Sequence, residues 1–265
     1  MIALENPPGF VVRTEAQKAS FENGYRIGRG TTNGWMRYGS TTARGDIWIA
    51  APSPSGPWFL SLQRPEVALE CGAKPVPSVT GPGIASFVFD KLAELYAALD
   101  RVYRLGVSLP DAPLQQFRAA TKNMPQTTEA ECLAVRRVGQ TLFRQALLDY
   151  WDRRCPITGI TDEALLRASH IVAWADCDSD ELRLDVHNGL LLSALWDAAF
   201  DSGLVSFAGD GMVLRSPKLT SLASAALDVD NVKSLVGLTE AHRNNLARHR
   251  LKYGFLDSEN AALGT

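Results

Sequence analysis

Between Leu165 and Asp201 the chain carries a small set of polar residues inside an otherwise apolar stretch. His170 lies near the end of LLRASHIVAW, Asn188 follows eighteen positions later, and Asp197 and Asp201 lie four residues apart. Residues four apart share one face of a helix, so the two carboxylates would repel each other unless a cation lies between them. Aspartate oxygens suit Mg²⁺ or Mn²⁺, and an imidazole can act as a general base on water. Together these groups are the minimal equipment for hydrolysing a phosphodiester.

The segments around these residues predict two strands and a helix. LLRASHIVAW and GLLLS have the apolar character of buried strands, and the polar DCDSDELRLDVHN between them predicts a loop. SALWDAAFDSG predicts a short helix, with Ser193 at its N-cap and Gly203 beyond its end. We therefore expect the histidine at the end of one strand, the asparagine at the start of the next, and both aspartates on the helix.

Further elements are predicted on both sides of this group. CPITG predicts a short strand that ends in a turn, and LVSFAGDGMVLRS predicts a hairpin. Upstream, Thr128 and Glu131 have the spacing of a capping box that opens a long amphipathic helix. Downstream, LTEAHRNNLARHRLKYGF predicts a final helix with Thr239 at its N-cap.

The front of the chain has a different character. Up to about residue 83 it is rich in glycine and proline, with loops predicted at APSPSGPWF and KPVPSVTGPG and strands at DIWIA and WFLSL. From Ile84 to Gly106 the apolar spacing predicts a helix, a shorter helix is predicted over APLQQFRAATKN, and MPQTT is the best linker candidate. GRGTTNG is interpreted as a turn, because it lacks the GxxxxGK[ST] pattern of a phosphate loop.

These patterns indicate an α+β protein in two parts. We expect residues 1–123 to form a small module that is β-rich or mixed to about residue 83 and then helical, and residues 124–265 to form a second domain with flanking helices. The chain has 265 residues, enough for two domains, and its 46% of hydrophobic residues suits folded cores.

Charge and composition exclude several classes of protein. The formal net charge is −2, so nucleic-acid binding would need a local basic patch. No apolar run is long enough to cross a membrane, and MIALENPPGF lacks the regions of a signal peptide, which predicts a cytoplasmic protein. The four cysteines are widely spread without a CxxC pair, which favours reduced thiols and predicts no structural zinc.

The constellation around His170 resembles the HNH (His-Asn-His) endonucleases of the ββα-metal superfamily. His170, Asn188 and Asp197 have the order and spacing of the three motif positions. The surrounding FRQALLDYWDRRCPITG, LLRASHI, NGLLLS and FDSGLVSF are similar to the bacterial branch often found in restriction and defence enzymes. The resemblance covers Val135 to Arg250 and implies a C-terminal ββα-metal nuclease domain.

The resemblance implies a role for each motif residue. His170 would activate water as the general base, Asn188 would brace the loop between the strands, and Asp197 would hold the metal, with Asp201 as a second ligand or its partner. Mg²⁺ would be the metal, with Mn²⁺ as the alternative, and cleavage would leave 5′-phosphate and 3′-hydroxyl ends. Ser169 stands where many relatives have an aspartate or histidine ligand.

Several arginines are candidates for contacts with DNA, because cations bind the phosphates of its backbone. Those that flank the motif are Arg136, Arg137, Arg153, Arg154 and Arg167. In the final helix the candidates are Arg243, His249 and Arg250, for which a solvated helix face is the alternative.

A second candidate surface lies in the front module. Between Gly24 and Gly45 there are four arginines and no acidic residue, interleaved with aromatic residues. Aromatic faces can stack on bases, and a base taken out of a duplex needs an aromatic pocket. The hypothesis is that this module recognises DNA, including modified bases, through Arg37, Trp35, Tyr38 and Trp48. For each residue alone, the alternative is a solvated basic loop over a core that contains tryptophans.

These observations together favour a metal-dependent DNA endonuclease of the restriction or defence type. The alternatives are a homing, toxin or RNA-cleaving HNH nuclease, and a non-catalytic DNA-binding module with a decayed site. Cutting both strands of DNA usually requires two active sites, which favours a homodimer.

Overall fold

A computed structural model describes residues 4–72, 80–125 and 127–255. The chain divides into two compact units, Met1–Ala112 and Pro113–Thr265. Two predicted segments fall partly outside the described residues, namely the KPVPSVTGPG loop at 74–79 and the MPQTT linker at 126. Within the described ranges, no helix combines the length and the apolar character needed to cross a membrane.

The first unit contains one antiparallel sheet and several helices. Its elements are α1 (Phe10–Glu22), β1 (Ile27–Thr32), β2 (Trp35–Gly39), β3 (Ile47–Ala50), β4 (Trp58–Leu62), α2 (Pro65–Glu70), β5 (Ala85–Phe89) and α3 (Leu92–Ser108). The five strands lie in sequence order, β1-β2-β3-β4-β5. The next helix, α4, spans Asp111–Thr121.

One face of this sheet is covered by helices. α1 packs on β2 and β3, while α3 packs on β4 and β5. The register places Ile47 opposite Leu62 and Tyr38 opposite Ile47, and the Tyr38 hydroxyl reaches Ser20 of α1. Because side chains alternate along a strand, these residues share one face and form a buried core with the helices.

The other face of the sheet carries a separate apolar cluster. Its buried members and the partly buried residues packed against them are Trp35, Ala50, Phe59, Leu4, Trp48 and Val88. Arg37 lies opposite Trp48 in the register of β2 and β3. We call this side of the sheet, defined by Trp35, Arg37 and Trp48, the Trp48 face.

The strands predicted at DIWIA and WFLSL are confirmed as β3 and β4, but other predictions for this unit are wrong. ASFVF was expected to open a helix from Ile84 and instead forms β5, because it pairs along its whole length with β4. The helix begins only at Leu92. α1 lies in the front segment, which was expected to be β-rich or mixed, and this helix makes the segment mixed. GRGTTNG was interpreted as a turn, but most of it belongs to strand β1. Only Asn33 and Gly34, which have positive φ, form the turn of the β1–β2 hairpin.

The second unit is built around a β-hairpin flanked by helices. Its elements are α5 (Glu129–Tyr150), β6 (Leu166–His170), α6 (Asp180–Leu184), β7 (Gly189–Ser193), α7 (Ala194–Asp201), β8 (Val205–Phe207), β9 (Val213–Arg215), α8 (Ser221–Leu227) and α9 (Glu240–Tyr253). β6 pairs antiparallel with β7, and β8 pairs antiparallel with β9. α7 packs on both β6 and β7, which gives the strand–strand–helix order predicted from the sequence.

Local signals in this unit are confirmed in detail. Thr128 caps α5 in a capping box with Glu131, and Thr239 caps α9. α7 begins after Ser193, and Gly203 follows its end with a φ of 66°. The α+β class is therefore confirmed, with an antiparallel sheet in the first unit and a strand–strand–helix arrangement in the second.

Three predictions for the second unit are wrong. CPITG forms turns and no strand, so Cys155–Gly159 is not part of a sheet. The first strand of the site ends at His170, and the next residues form a 3₁₀ turn at Trp174–Asp176. The polar loop also contains the short helix α6.

His249 of α9 lies in the core and does not face solvent, so it is not a DNA-contacting residue. It is 3% exposed, its ring stacks on Phe200 at 3.9 Å, and its two nitrogens bond Ser206 Oγ and the Phe200 carbonyl. Burial lowers the pKa of His249 from 6.5 to about 4. The imidazole is therefore neutral in the folded protein at pH 7.

The lowered pKa of His249 predicts that the protein loses stability in mild acid. The unfolded chain takes up a proton near pH 6.5, whereas the folded chain resists protonation until about pH 4. Stability should be complete above pH 6.5 and fall as the pH falls towards 4, by roughly 3 kcal/mol for this group. Thermal unfolding across this range should show a shallower slope for His249→Asn than for the wild type. Equal slopes for the two proteins would contradict this prediction.

Candidate active site

The β6–β7 hairpin and α7 bring the predicted site residues into one region of the second unit. The strand β7 lies in the core, because its three leucines, Leu190, Leu191 and Leu192, are fully buried. Their burial fixes the position of the hairpin. His170 ends β6 opposite Gly189, the first residue of β7. A Cβ on Gly189 would lie 2.6 Å from the Phe143 ring, so glycine allows α5 to pack closely over the hairpin at this point.

The His170 ring is held by three neighbours. It stacks on Phe143 of α5, with ring centroids 3.8 Å apart and planes 17° apart, and meets the edge of Trp174 at 5.6 Å. Nε2 lies 2.9 Å from the carbonyl oxygen of Arg183. Because a carbonyl only accepts hydrogen bonds, Nε2 carries the proton and Nδ1 is the basic nitrogen.

The environment of His170 keeps its ring neutral. The pKa of His170 is lowered from 6.5 to about 4, mainly by burial. The bond to the Arg183 carbonyl opposes this shift, and the positive charge of Arg136 contributes to it. The imidazole is therefore neutral at pH 7, with a proton on Nε2 and none on Nδ1. A neutral imidazole with a fixed tautomer can accept a proton at Nδ1.

Asn188 is fully buried and bonds the chain segment that leaves His170. Its Oδ1 accepts a hydrogen bond from the Val172 backbone N–H at 2.8 Å. Its Nδ2 donates to the carbonyls of Val172 and Leu182 at 3.1 Å each, and to the Cys177 sulfur at 3.4 Å. One amide thus ties both ends of the loop between β6 and β7 together.

Replacement of Asn188 by alanine should destabilise the second unit by roughly 2–4 kcal/mol, because it leaves several buried polar groups without partners. Urea unfolding measures the change. Asn231→Ala is the matched control, since Asn231 is exposed and its Nδ2 bonds only the nearby Asp228. That variant should change stability by no more than about 0.5 kcal/mol. Equal losses in the two variants would contradict a bracing role for Asn188.

Two carboxylates of α7 lie in surroundings that disfavour their charge. Desolvation raises the pKa of Asp197, and the nearby charge of Asp201 raises it further. Desolvation also raises the pKa of Asp201. Ser169 lies close enough to Asp197 to lower its pKa in part, yet its buried Oγ has no partner with hydrogen-bond geometry. The charges of Arg167 and Lys252 oppose these shifts but do not outweigh the desolvation of the two carboxylates.

The chemistry of this site fits a hard divalent cation. Among the described residues, no group of three or more His, Cys, Asp or Glu side chains is placed to hold a metal. Mg²⁺ does not require such a cage, because it keeps several waters and binds proteins through one or two carboxylates. Asp197 and Asp201 could provide two carboxylates to such an ion, and the buried Ser169 hydroxyl beside Asp197 could provide a third oxygen. A cation would relieve the repulsion that raises the pKa of Asp197.

The amino-acid sequence of this region matches a known family. Residues 155–208 match the family model of the HNH endonucleases. This segment is therefore similar to an HNH endonuclease domain, and we call it the HNH domain. The match begins at Cys155, continues through both strands of the hairpin and includes all four predicted site residues. No curated protein matches the chain.

Three cations lie close to the site residues of the HNH domain. Arg136 of α5 acts electrostatically on His170, Arg167 of β6 acts on Asp197, and Lys252 of α9 lowers the pKa of Asp201. All three residues are exposed. Arg137, next to Arg136, is also exposed. Positive charge therefore borders the site where a phosphate backbone would have to lie.

The other two predicted DNA-contacting arginines have different neighbours. Arg153 forms an ion pair with Glu163, and Arg154 Nη1 donates to the Gly159 carbonyl at 3.2 Å. Both follow the C-terminal end of α5. The structure shows no interaction of either residue with His170 or the two aspartates.

Three residues that support the site were not identified from the sequence. Phe143 stacks on the imidazole, and the Arg183 carbonyl fixes its tautomer. The Arg183 guanidinium also donates to the carbonyls of Trp174 and Cys177. Lys252 Nζ contacts Asp176 at 2.8 Å. Phe143 lies in the helix that the sequence predicted after Thr128, but no sequence signal shows which ring it meets.

The four base-recognition candidates lie in the first unit and do not all share a location. Trp35, Arg37 and Trp48 line one cleft on the Trp48 face. Tyr38 does not line this cleft and is buried on the opposite, helix-covered face. Alternation along β2 separates it from Arg37, its neighbour in the chain.

Proposed function

We propose that the protein is a metal-dependent endonuclease that hydrolyses phosphodiester bonds in DNA. The observation that carries this proposal is a neutral histidine, with Nδ1 as its basic nitrogen, in the same HNH domain as two carboxylates whose surroundings disfavour their charge. Arg136 and Arg167 border these groups and are placed to bind the phosphates on either side of the scissile bond.

Each site residue of the HNH domain has a separate role in the proposed hydrolysis. His170 Nδ1 takes a proton from a water molecule as its oxygen attacks phosphorus, and the bond to the 3′ oxygen breaks. The departing 3′ oxygen takes up a proton from solvent water, which leaves 5′-phosphate and 3′-hydroxyl ends. The Nε2–H of His170 remains bonded to the Arg183 carbonyl, which stabilises the positive charge that the ring gains. Asn188 holds the loop that carries this carbonyl. A divalent cation held by Asp197 and Asp201 beside Ser169, Mg²⁺ by preference or Mn²⁺, would stabilise the negative charge that develops on the phosphate.

The first unit would recognise the DNA that the HNH domain cuts. The proposal is supported by the exposed arginines and partly exposed tryptophan of the Trp48 face, since cations and aromatic rings are the usual means of holding nucleic acids. We further propose a restriction or defence role in the cytoplasm that extends to DNA with modified bases, with cutting of both strands by a homodimer.

Analysis of the cleavage products tests the proposed chemistry. DNA fragments produced with Mg²⁺ should be rejoined by DNA ligase without prior treatment, because ligase requires 5′-phosphate and 3′-hydroxyl ends. EDTA should prevent their formation. Fragments that ligase rejoins only after a phosphatase and kinase treatment would contradict the direction of bond cleavage.

A further inference from the structure

A cleft of about 480 Å³ lies on the Trp48 face of the first unit. Its volume falls within the range of roughly 300–1,000 Å³ that is usual for pockets that bind small molecules. The lining includes two arginines, Arg29 and Arg37, and two tryptophans, Trp35 and Trp48.

Trp48 provides an aromatic surface in this cleft. It is partly exposed, whereas Trp35 beside it is only 5% exposed. The Arg37 guanidinium lies 5.4 Å from the centre of the Trp48 ring. An indole in contact with both a cation and open space can hold a flat ligand against its remaining surface.

Two arginines share one carboxylate at the wall of the cleft. Asp46 is 8% exposed, and its two oxygens accept from Arg29 Nε at 3.1 Å and from Arg37 Nε at 2.6 Å. The side chains of both arginines are 44% exposed. One carboxylate neutralises one of the two guanidinium groups, so the wall keeps a net positive charge with N–H groups that remain open to an anion.

Gly39 of β2 leaves the space that the ion pair between Arg29 and Asp46 occupies. A Cβ on Gly39 would lie 2.5 Å from Arg29 Nε and 2.8 Å from Asp46 Oδ1. The glycine therefore lets the ion pair lie directly against the backbone of β2. The buried Asp46 carboxylate holds both guanidinium groups in a fixed orientation before a ligand binds, which lowers the entropy cost of binding. A surface arginine that serves only solubility does not need such a partner.

We propose that this cleft binds one nucleotide of DNA, with the base against Trp48 and the phosphate on Arg29 and Arg37. The identity of the ligand as DNA rests on the proposed function of the HNH domain. A base can enter such a cleft only after it has left the stack of a duplex. Single-stranded or mismatched DNA, in which that cost is low, is therefore bound more tightly than a matched duplex.

Binding can be measured apart from cleavage in the His170→Ala protein without divalent metal. The probes are a 30-nucleotide mixed-sequence single strand, its matched duplex and the same duplex with one central mismatch. Trp48→Ala should weaken binding of the single strand and the mismatched duplex about 5- to 150-fold, the range expected for loss of stacking on one base. Trp48→Phe, which keeps an aromatic ring, should retain most of the affinity and shows that the site is folded.

Arg37→Gln tests the phosphate contact. It should weaken binding and reduce the slope of log affinity against log salt concentration by about 1. Arg26→Gln is the matched control, because Arg26 is an exposed arginine of the same segment that does not line the cleft. It should leave binding within about twofold of the parent protein.

Two outcomes separate this inference from the proposed function. If the wild type cuts DNA but Trp48→Ala and Arg37→Gln bind all three probes as the parent does, the nucleotide site is overturned and the nuclease stands. If binding depends on Trp48 and Arg37 but the wild type cuts no DNA, the nucleotide site stands and the nuclease proposal fails. Binding to none of the probes by the parent protein overturns the nucleotide site.

Discussion

His170→Ala is expected to slow DNA cleavage by about 10²- to 10⁴-fold, the usual contribution of a positioned general base. The wild-type ring is neutral at pH 7, its Nε2 proton is committed to the Arg183 carbonyl, and Nδ1 remains as the basic nitrogen. Alanine removes the proton acceptor and leaves the two carboxylates of α7 in place. Single-turnover cleavage of plasmid DNA at saturating Mg²⁺ measures the effect on the chemical step.

His249→Asn is the matched control for this variant. His249 is also a stacked imidazole with a pKa lowered to about 4, but its nitrogens bond Ser206 and the Phe200 carbonyl, so it has no basic nitrogen to offer a substrate. At a temperature where both variants are folded, the control should cut at close to the wild-type rate. A His170→Ala protein that cuts within tenfold of the wild type would show that another group activates the water.

Asp197→Asn is expected to have opposite effects on catalysis and on stability. Cleavage should fall by roughly 10²- to 10³-fold, since a metal contributes several kcal/mol to stabilisation of the transition state. The melting temperature without metal should rise, because the pKa of Asp197 is raised by burial and by the charge of Asp201, and the neutral amide removes both costs.

Thermal unfolding with and without Mg²⁺ separates these effects. The wild type should be stabilised by Mg²⁺ and the Asp197→Asn variant much less, because a ligand that binds only the folded state raises its stability. Asp230→Asn is the control, since Asp230 is an exposed aspartate that pairs with Arg215. An Asp197→Asn protein that retains both the wild-type cleavage rate and the Mg²⁺ response would exclude Asp197 as a metal ligand.

The elements that hold the site could be predicted from local sequence signals. The capping box at Thr128 determines the start of α5 through contacts within a few residues, Ser193 precedes α7, and Gly203 adopts a positive φ just beyond the end of α7. The spacing of His170, Asn188 and the two aspartates then follows from the strand–strand–helix order. These signals act over short distances, which is why they can be recognised without knowledge of the tertiary structure.

Features that depend on distant partners could not be predicted in this way. ASFVF begins an amphipathic pattern and pairs with β4 instead, since tertiary pairing overrides local preference in short apolar segments. Phe143 and the Arg183 carbonyl meet His170 only through packing of α5 and the loop after β6. Tyr38 is different, because alternation along a strand predicts that it faces away from Arg37 once β2 is recognised.

Cleavage of plasmid DNA by the purified wild-type protein tests the central claim most directly. Plasmids with unmodified and with modified cytosine are incubated with Mg²⁺ or Mn²⁺, with and without EDTA, and nicked and linear products are quantified. We expect metal-dependent cleavage of at least one plasmid that EDTA abolishes, and a preference between the plasmids would reflect recognition by the first unit. Intact plasmids of both kinds with either metal would contradict a DNA endonuclease and leave the HNH domain as a module for binding DNA or for cutting RNA.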